Sequence, residues 1–482
     1  MIMMSNVVLR RIPMNKRVKG FLFAGMQLLI FGALTACGVT KPYKQQDIAF
    51  SGDYRNALPS GAGNHADSVL ARLSYRSFFA DTTLRALIDT AIVNNIDLQV
   101  GLKNIEIAQQ TLNAAKLGNL PTLSIGVQDT RTSPSNNGVQ TTPQDYTASA
   151  SASWEADIWG KIRSRKKSAL ATYLKTQEAA RAVRTRLVAD VAAGYYNLLM
   201  LDEQLDISRK NLALADTTLK MIGYQYTAGQ VTSLAVQQQK ASRQSIALSI
   251  PVIEQNIAVQ ENALSTLCGR MPGTIHRDRA LFTIKVADIL PTGIPSELLK
   301  NRPDVRAAEM AVRAAHADMG EAKANLYPSF TVSASGGLDA LRSSDWFMTP
   351  GSLFSVLQGG VFQPIFQRGE LKAKYQQSKI KLDQSELEFK QSVLKAVEEV
   401  SNALVRLEKI KSQETIAEER VATLHKASDN AGMLFQSGMA TYLEVIIAQT
   451  NALQAELNLA DIRRQHLAVM SELYRALGGG WR

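Results

Sequence analysis

Cysteine appears only twice in the 482 residues, at Cys37 and Cys268, so no disulfide framework holds this chain together. The five histidines, His65, His276, His316, His425 and His466, are scattered without metal-site spacing, and no Walker or dinucleotide glycine motif occurs. Ser164 and Lys167 match an S-x-x-K pattern, but they stand in the basic opening of a helix with no catalytic company. The sequence therefore reads as no enzyme and calls for no cofactor. After Cys37 there is no run of 18 apolar residues, which excludes transmembrane helices and leaves strands as the only route across a bilayer. The formal charge of +11 is not a nucleic-acid footprint. Arg10, Arg11, Lys16, Arg17 and Lys19 supply five of those charges ahead of Cys37, and the remainder are dispersed among acids along helices.

What is present begins with MNKRVKGFLFAGMQLLIFGALTACG. A basic stretch, an apolar run from Phe21 to Ala33 and the small residues before Cys37 resemble a bacterial lipoprotein signal. That assigns residues 1–36 to a cleaved leader and N-acyl and S-diacylglycerol groups to Cys37. Gly38, rather than aspartate, fits sorting to the outer membrane. Residues 37–80 are polar and rich in Gly, Ser and Asn, and read as an extended lead-in from the lipid.

The rest of the chain repeats itself with a shift of about 207 to 209 residues. NLPTLSIG from Asn119 matches NLYPSFTVS from Asn325, NNIDLQ near Asp97 matches NRPDVR near Asp304, and YTAGQVTSLAV from Tyr226 matches FQSGMATYLEV from Phe435. We place the two repeats at 81–268 and 295–482, with a connector at 269–294. Each predicts a helix, a strand hairpin (about 120–158 and 327–366), a long helix, a glycine turn and a shorter helix. The same spacing separates Gly160 from Gly223 and Gly369 from Gly432, and no proline lies inside either segment. Each segment predicts roughly 90 Å of helix, which needs neighbours along its length. Leu187, Val191, Gly194 and Leu198, and Val393, Val397, Val400, Leu404 and Ile410, recur at coiled-coil intervals. Gly229 and Gly438 are turn positions between long and short helices, or else ordinary loop glycines. Pro303 opens a helix with Asp304 in its first turn, and Arg302 is pushed out of helical geometry.

Four stretches read as strands: three alternate, around Leu123, around Ala150 and around Val332, and a weaker one runs from Leu353 to Phe362. Each approaches the ~9 to 11 residues of a tilted membrane strand, and Trp154, Trp159, Tyr146, Tyr327 and Trp346 stand near strand ends as interfacial aromatics do. Four strands close no barrel. Either the sheet is soluble and packed on a helix, or several copies share one barrel, two giving eight strands and three giving twelve.

The cysteine at position 37, NRPDVRAAE from Asn301, ANLYPSF from Ala324, the duplication and the paired glycine turns resemble the TolC-type outer-membrane efflux channels, in their lipid-anchored NodT-like branch. The resemblance covers essentially the whole mature chain. It implies a mainly α fold with a small membrane β-barrel: a homotrimer whose twelve strands form one barrel and whose twelve helices form a periplasmic tunnel. It implies an exit duct through the outer membrane for drugs or other small toxic compounds. The partners it implies are outer-membrane lipid, a periplasmic adaptor and an inner-membrane resistance-nodulation-division (RND) pump; nucleic acid is not among them. A type I protein-secretion channel is the alternative within transport, and a lipid-anchored coiled-coil scaffold the alternative outside it. The resemblance makes Gly229 and Gly438 the periplasmic tips and Leu443 an apolar constriction, followed by Glu444; a plain hairpin-core leucine is the other reading of Leu443. Ile447 stands where the family often has an aspartate, which points to a more apolar seal.

Overall fold

The computed structural model describes residues 39–44, 73–131, 144–278, 280–284 and 297–481. Cys37 and His65 lie outside the described residues. The helices are α1 (Tyr75–Phe78), α2 (Thr82–Asn94), α3 (Ile96–Leu117), α4 (Lys161–Thr227), α5 (Ser233–Leu267), α6 (Leu298–Asn301), α7 (Pro303–Ala324), α8 (Glu370–Gln436) and α9 (Tyr442–Ala476). The strands are β1 (Thr122–Arg131), β2 (Gln144–Ala156), β3 (Ser329–Ala340) and β4 (Leu353–Phe362). They form one antiparallel sheet in the order β1-β2-β3-β4, so β2 and β3 join the two repeats and β1 and β4 are open edges. The chain divides into two compact units. One holds the sheet with the adjoining ends of α3, α4, α7 and α8; the other holds the rest of those helices with α1, α2, α5, α6 and α9.

The long helices outrun their bracketing glycines. Gly223 and Gly432 lie inside α4 and α8, where an added Cβ would meet nothing, and both helices continue to the turns at Gly229 and Gly438. There each helix end closes in the same way. Gly229 (φ +76°) and Gly438 (φ +74°) take the left-handed conformation, and the next amides return to helix carbonyls, Gln230 N to Gln225 O at 2.8 Å and Met439 N to Leu434 O at 2.8 Å. That geometry is a Schellman stop, which favours glycine because a Cβ is strained at such φ. Both positions are thus conformationally required turns and not ordinary loop glycines. The α8 seam is Phe389, Val393, Ala396, Val400, Ala403, Leu404 and Ile410, all buried. Ala396 is buried where the sequence reading placed Val397, which is half-buried; a small side chain leaves room for a close neighbour. In α4 the same effect appears at Gly194: a Cβ there would lie 2.7 Å from Leu264 Cδ2 of α5, and Gln260 Nε2 donates to the Gly194 carbonyl at 3.1 Å.

In the second unit α2 is capped by Asp81, whose carboxylate accepts from the amides of Thr83 and Leu84 (2.8 and 3.1 Å) and from the buried Tyr195 hydroxyl (3.1 Å). Tyr474 stacks on Phe78 with centroids 4.3 Å apart. Pro303 opens α7 as expected, with Arg302 extended (φ −86°, ψ 117°).

Candidate channel wall and tip

Residues opposite one another in an antiparallel sheet share a face. One face carries Leu123, Ile125 and Val127 of β1, Ala148, Ala150, Ala152 and Trp154 of β2, Phe330, Val332, Ala334 and Leu338 of β3, and Leu353, Leu357 and Val361 of β4. The other face carries Ser124, Gln128, Thr147, Ser149, Ser151, Ser153, Thr331, Ser333, Ser335 and Gln358, together with Phe354, Val356 and Phe362 of β4. Register therefore assembles an apolar face across all four strands and a hydroxyl-rich face behind it on β1, β2 and β3, while β4 is apolar on both sides. The apolar side is bare in the single chain: Ile125 is 81% and Leu357 80% exposed. A soluble sheet packed on a helix would cover it, so that reading fails on burial.

Aromatic rings bracket the strands. Tyr146, Trp346 and Phe347 cluster at the hairpin-loop end, with centroids 5.9 and 5.3 Å apart. At the helix end Trp159 stacks on Tyr327 at 4.9 Å and its indole donates to Pro328 O at 2.7 Å, while Trp154 donates to Asn119 O at 2.8 Å. The stretch of β2 between these clusters rises about 25 Å when tilted as membrane strands are, which matches the height of an outer-membrane apolar band.

The two helix hairpins that turn at Gly229 and Gly438 pack together in the second unit. Ile222 and Ala235 of the first hairpin pack with Phe435 and Val445 of the second in one buried cluster, and Gln449 Nε2 donates to Thr218 Oγ1 across them at 3.0 Å. Leu443 stays 49% exposed and Ile447 50%, so the hairpin core is filled by Val445 and not by Leu443. Glu444 has a local duty: its carboxylate accepts from the Thr441 amide at 2.6 Å, in a capping box that starts α9.

The chain matches the family model described as outer membrane efflux protein over residues 87–270 and 294–479, one match for each repeat. It belongs to that family. Cation efflux system protein CusC of Escherichia coli O6:H1 is 28% identical over 457 residues, covering 93% of this chain and 97% of the relative. Toluene efflux pump outer membrane protein TtgF of Pseudomonas putida is 29% identical over 466 residues, covering 93% and 95%. Among solved structures, the Neisseria gonorrhoeae MtrE outer membrane channel in its open state superposes with a TM-score of 0.82 at 24% identity, covering 92% of this chain and 99% of that one. The OprN outer-membrane channel gives 0.84 at 24%, covering 92% and 100%. The chain is thus a channel of the outer membrane and not an enzyme. Ser164 of the S-x-x-K pattern is buried, with its hydroxyl beside Gly320 of α7.

Sequence reading missed two devices of this family member. The first is a joint made twice. Asn95 Nδ2 donates to the Leu267 carbonyl at the end of α5, and at the matching place in the second repeat Arg302 Nη1 donates to the Ala476 carbonyl at the end of α9, both at 3.0 Å. Gly269 (φ +65°) and Gly478 (φ +92°) follow those helix ends, each set against the backbone of Asn94 or Asn301. The second is the arm Val39–Lys44, which lies along α7. Lys323 Nζ donates to Val39 O at 2.9 Å, and Tyr43 lies edge-on to His316 and under Arg313. Its signal is the adjacency of a short tyrosine-bearing segment to Cys37, which does not by itself name a docking partner.

Proposed function

We propose that three copies of this chain form the passive outer-membrane duct of a tripartite efflux system, served by a periplasmic adaptor and an inner-membrane RND pump. The observation that carries the reading is the sheet: an uncovered apolar face, a hydroxyl-rich face and two unpaired edges. In lipid each unpaired backbone group costs several kcal/mol, so β1 of one copy pairs with β4 of the next until twelve strands close. The apolar face then meets lipid and the hydroxyl face lines water. The exposure of Leu443 and Ile447 supports the tip reading, in which three copies bring these apolar side chains together as the constriction, with Glu444 held back by its cap. Relatives carry names as different as a cation system and a toluene pump, so cargo is chosen by the pump and this wall passes small toxic compounds generally. Lipid on Cys37 is supported by the arm, whose Val39 is bound beside the sheet-proximal end of α7.

The experiment is Cys37→Ser. The duct predicts that the variant stays in the outer membrane through its barrel, as a detergent-resistant trimer. Release into the soluble periplasmic fraction as a monomer would establish the scaffold instead.

A further inference from the structure

The first two turns of α4 run against helix electrostatics. Lys161, Arg163, Arg165, Lys166 and Lys167 crowd a helix start that has no acid in its first turn, where the unpaired amides already carry positive potential. Three of these are neutralised locally: Lys161 by Glu155 at 3.0 Å, Arg163 by Asp157 at 3.1 Å and Arg165 by Glu321 at 2.9 Å. Lys166 and Lys167 are exposed and pair with no carboxylate among the described residues. The start of α8, at the equivalent place in the second repeat, repeats the arrangement: Lys374 is held by Glu370 at 2.6 Å, while Arg368 and Lys372 are exposed and unpaired among the described residues. Just before them stand Ile365 and Phe366, 91% and 84% exposed.

Both clusters follow directly on strands whose apolar face enters the bilayer, and α4 begins two residues after the interfacial Trp159. Lys166 and Lys167 stand about 10 Å of helix beyond that ring, which is headgroup depth. The arm adds the exposed Lys41 and Lys44 in the same unit. We infer that the unpaired lysines and arginine opening α4 and α8 form an anionic-phospholipid headgroup site on the periplasmic leaflet of the outer membrane, with Ile365 and Phe366 seated in the acyl boundary below it. Charge complementarity chooses the occupant. Zwitterionic headgroups offer no net charge to offset the repulsion among these side chains and the helix amides, whereas an anionic headgroup relieves both.

This inference rests on the membrane reading of the sheet, and the test separates the two. Insertion of the full-length protein into vesicles of phosphatidylethanolamine alone tests the wall. For the headgroup site, the protein is equilibrated with mixed micelles of phosphatidylethanolamine and phosphatidylglycerol in equal amounts, freed of excess lipid by gel filtration, and its retained lipids are weighed by mass spectrometry. At low salt we expect phosphatidylglycerol enriched about five-fold or more, the factor one basic side chain near an anionic surface supplies. The enrichment falls toward parity at high salt and in the Lys166→Gln/Lys167→Gln/Lys372→Gln variant, whereas arginine at the same three positions retains it. Parity in the wild type overturns the site, as does undiminished enrichment in the glutamine variant. A glutamine variant that inserts but no longer oligomerises also overturns it, because these charges would then belong to a contact between copies.

Discussion

At the scale of single residues, the glycines that matter are those whose φ and surroundings both exclude a side chain. Gly478 follows α9 at φ +92°, and a Cβ there would stand well inside van der Waals contact with the Asn301 carbonyl. Left-handed backbone alone costs an alanine about 1 to 2 kcal/mol, and the neighbour is backbone that cannot rotate away. Gly478→Ala, like Gly269→Ala, is therefore expected to destabilise by at least about 2 kcal/mol, read as a lower Tm of the detergent-solubilised protein, whereas Gly229→Ala meets only the strain. Beside that joint Arg302 is buried, ion-paired to Asp304 at 2.6 Å and Glu399 at 2.9 Å. Burial raises the Asp304 carboxyl, but the Arg302 pair outweighs it and holds the group below its usual range. A depressed carboxylate contributes stability that is complete above the unfolded value of about 3.9 and is lost as pH falls through the folded one. Wild-type Tm should thus drop on acidification below about pH 4, and Asp304→Asn should lower Tm at neutral pH while flattening that part of the curve. An unchanged acid slope in the variant would show that the pair is not its source.

Elements differ in how plainly the sequence announces them. Helices free of proline declared themselves, as did the strands of the first hairpin, whose Leu123, Ile125 and Val127 alternate with polar neighbours. The sheet's apolar face was less visible, because β2 contributes alanines and β4 interleaves Gly359 and Ser355; only register shows that these lie beside Ile125, Val332 and Phe330. The α8 seam hid its alanines for the same reason. The joints at Asn95 and Arg302 escaped because they link residues more than a hundred positions apart through carbonyls, which leave no mark on composition. If the apolar face meets lipid, Ile125→Arg should cost about 2 to 4 kcal/mol near the bilayer midplane, measured by urea unfolding in vesicles, while Ser124→Arg on the other face should cost little. At the tip, Leu443→Ala should raise single-channel conductance in planar bilayers, because Leu443 is exposed and its loss leaves the Val445 cluster intact; unchanged conductance would remove Leu443 from the constriction.

At the scale of the whole molecule, the decisive property is that one chain leaves its sheet unfinished. β1 and β4 are separated by two intervening strands, about 14 Å at the usual strand spacing, which is beyond the reach of a disulfide. A cysteine at Ile125 and a second on β4, moved through Leu353, Ser355, Leu357 and Val361 in a Cys268→Ala background, can therefore bond only between copies. Oxidation in the membrane should yield, at one register, a ladder of linked chains that ends at three. A ladder ending at two would mean an eight-stranded wall and refute the trimer. Monomers at every β4 position would mean that these edges do not meet, and the uncovered apolar face would then need some other cover.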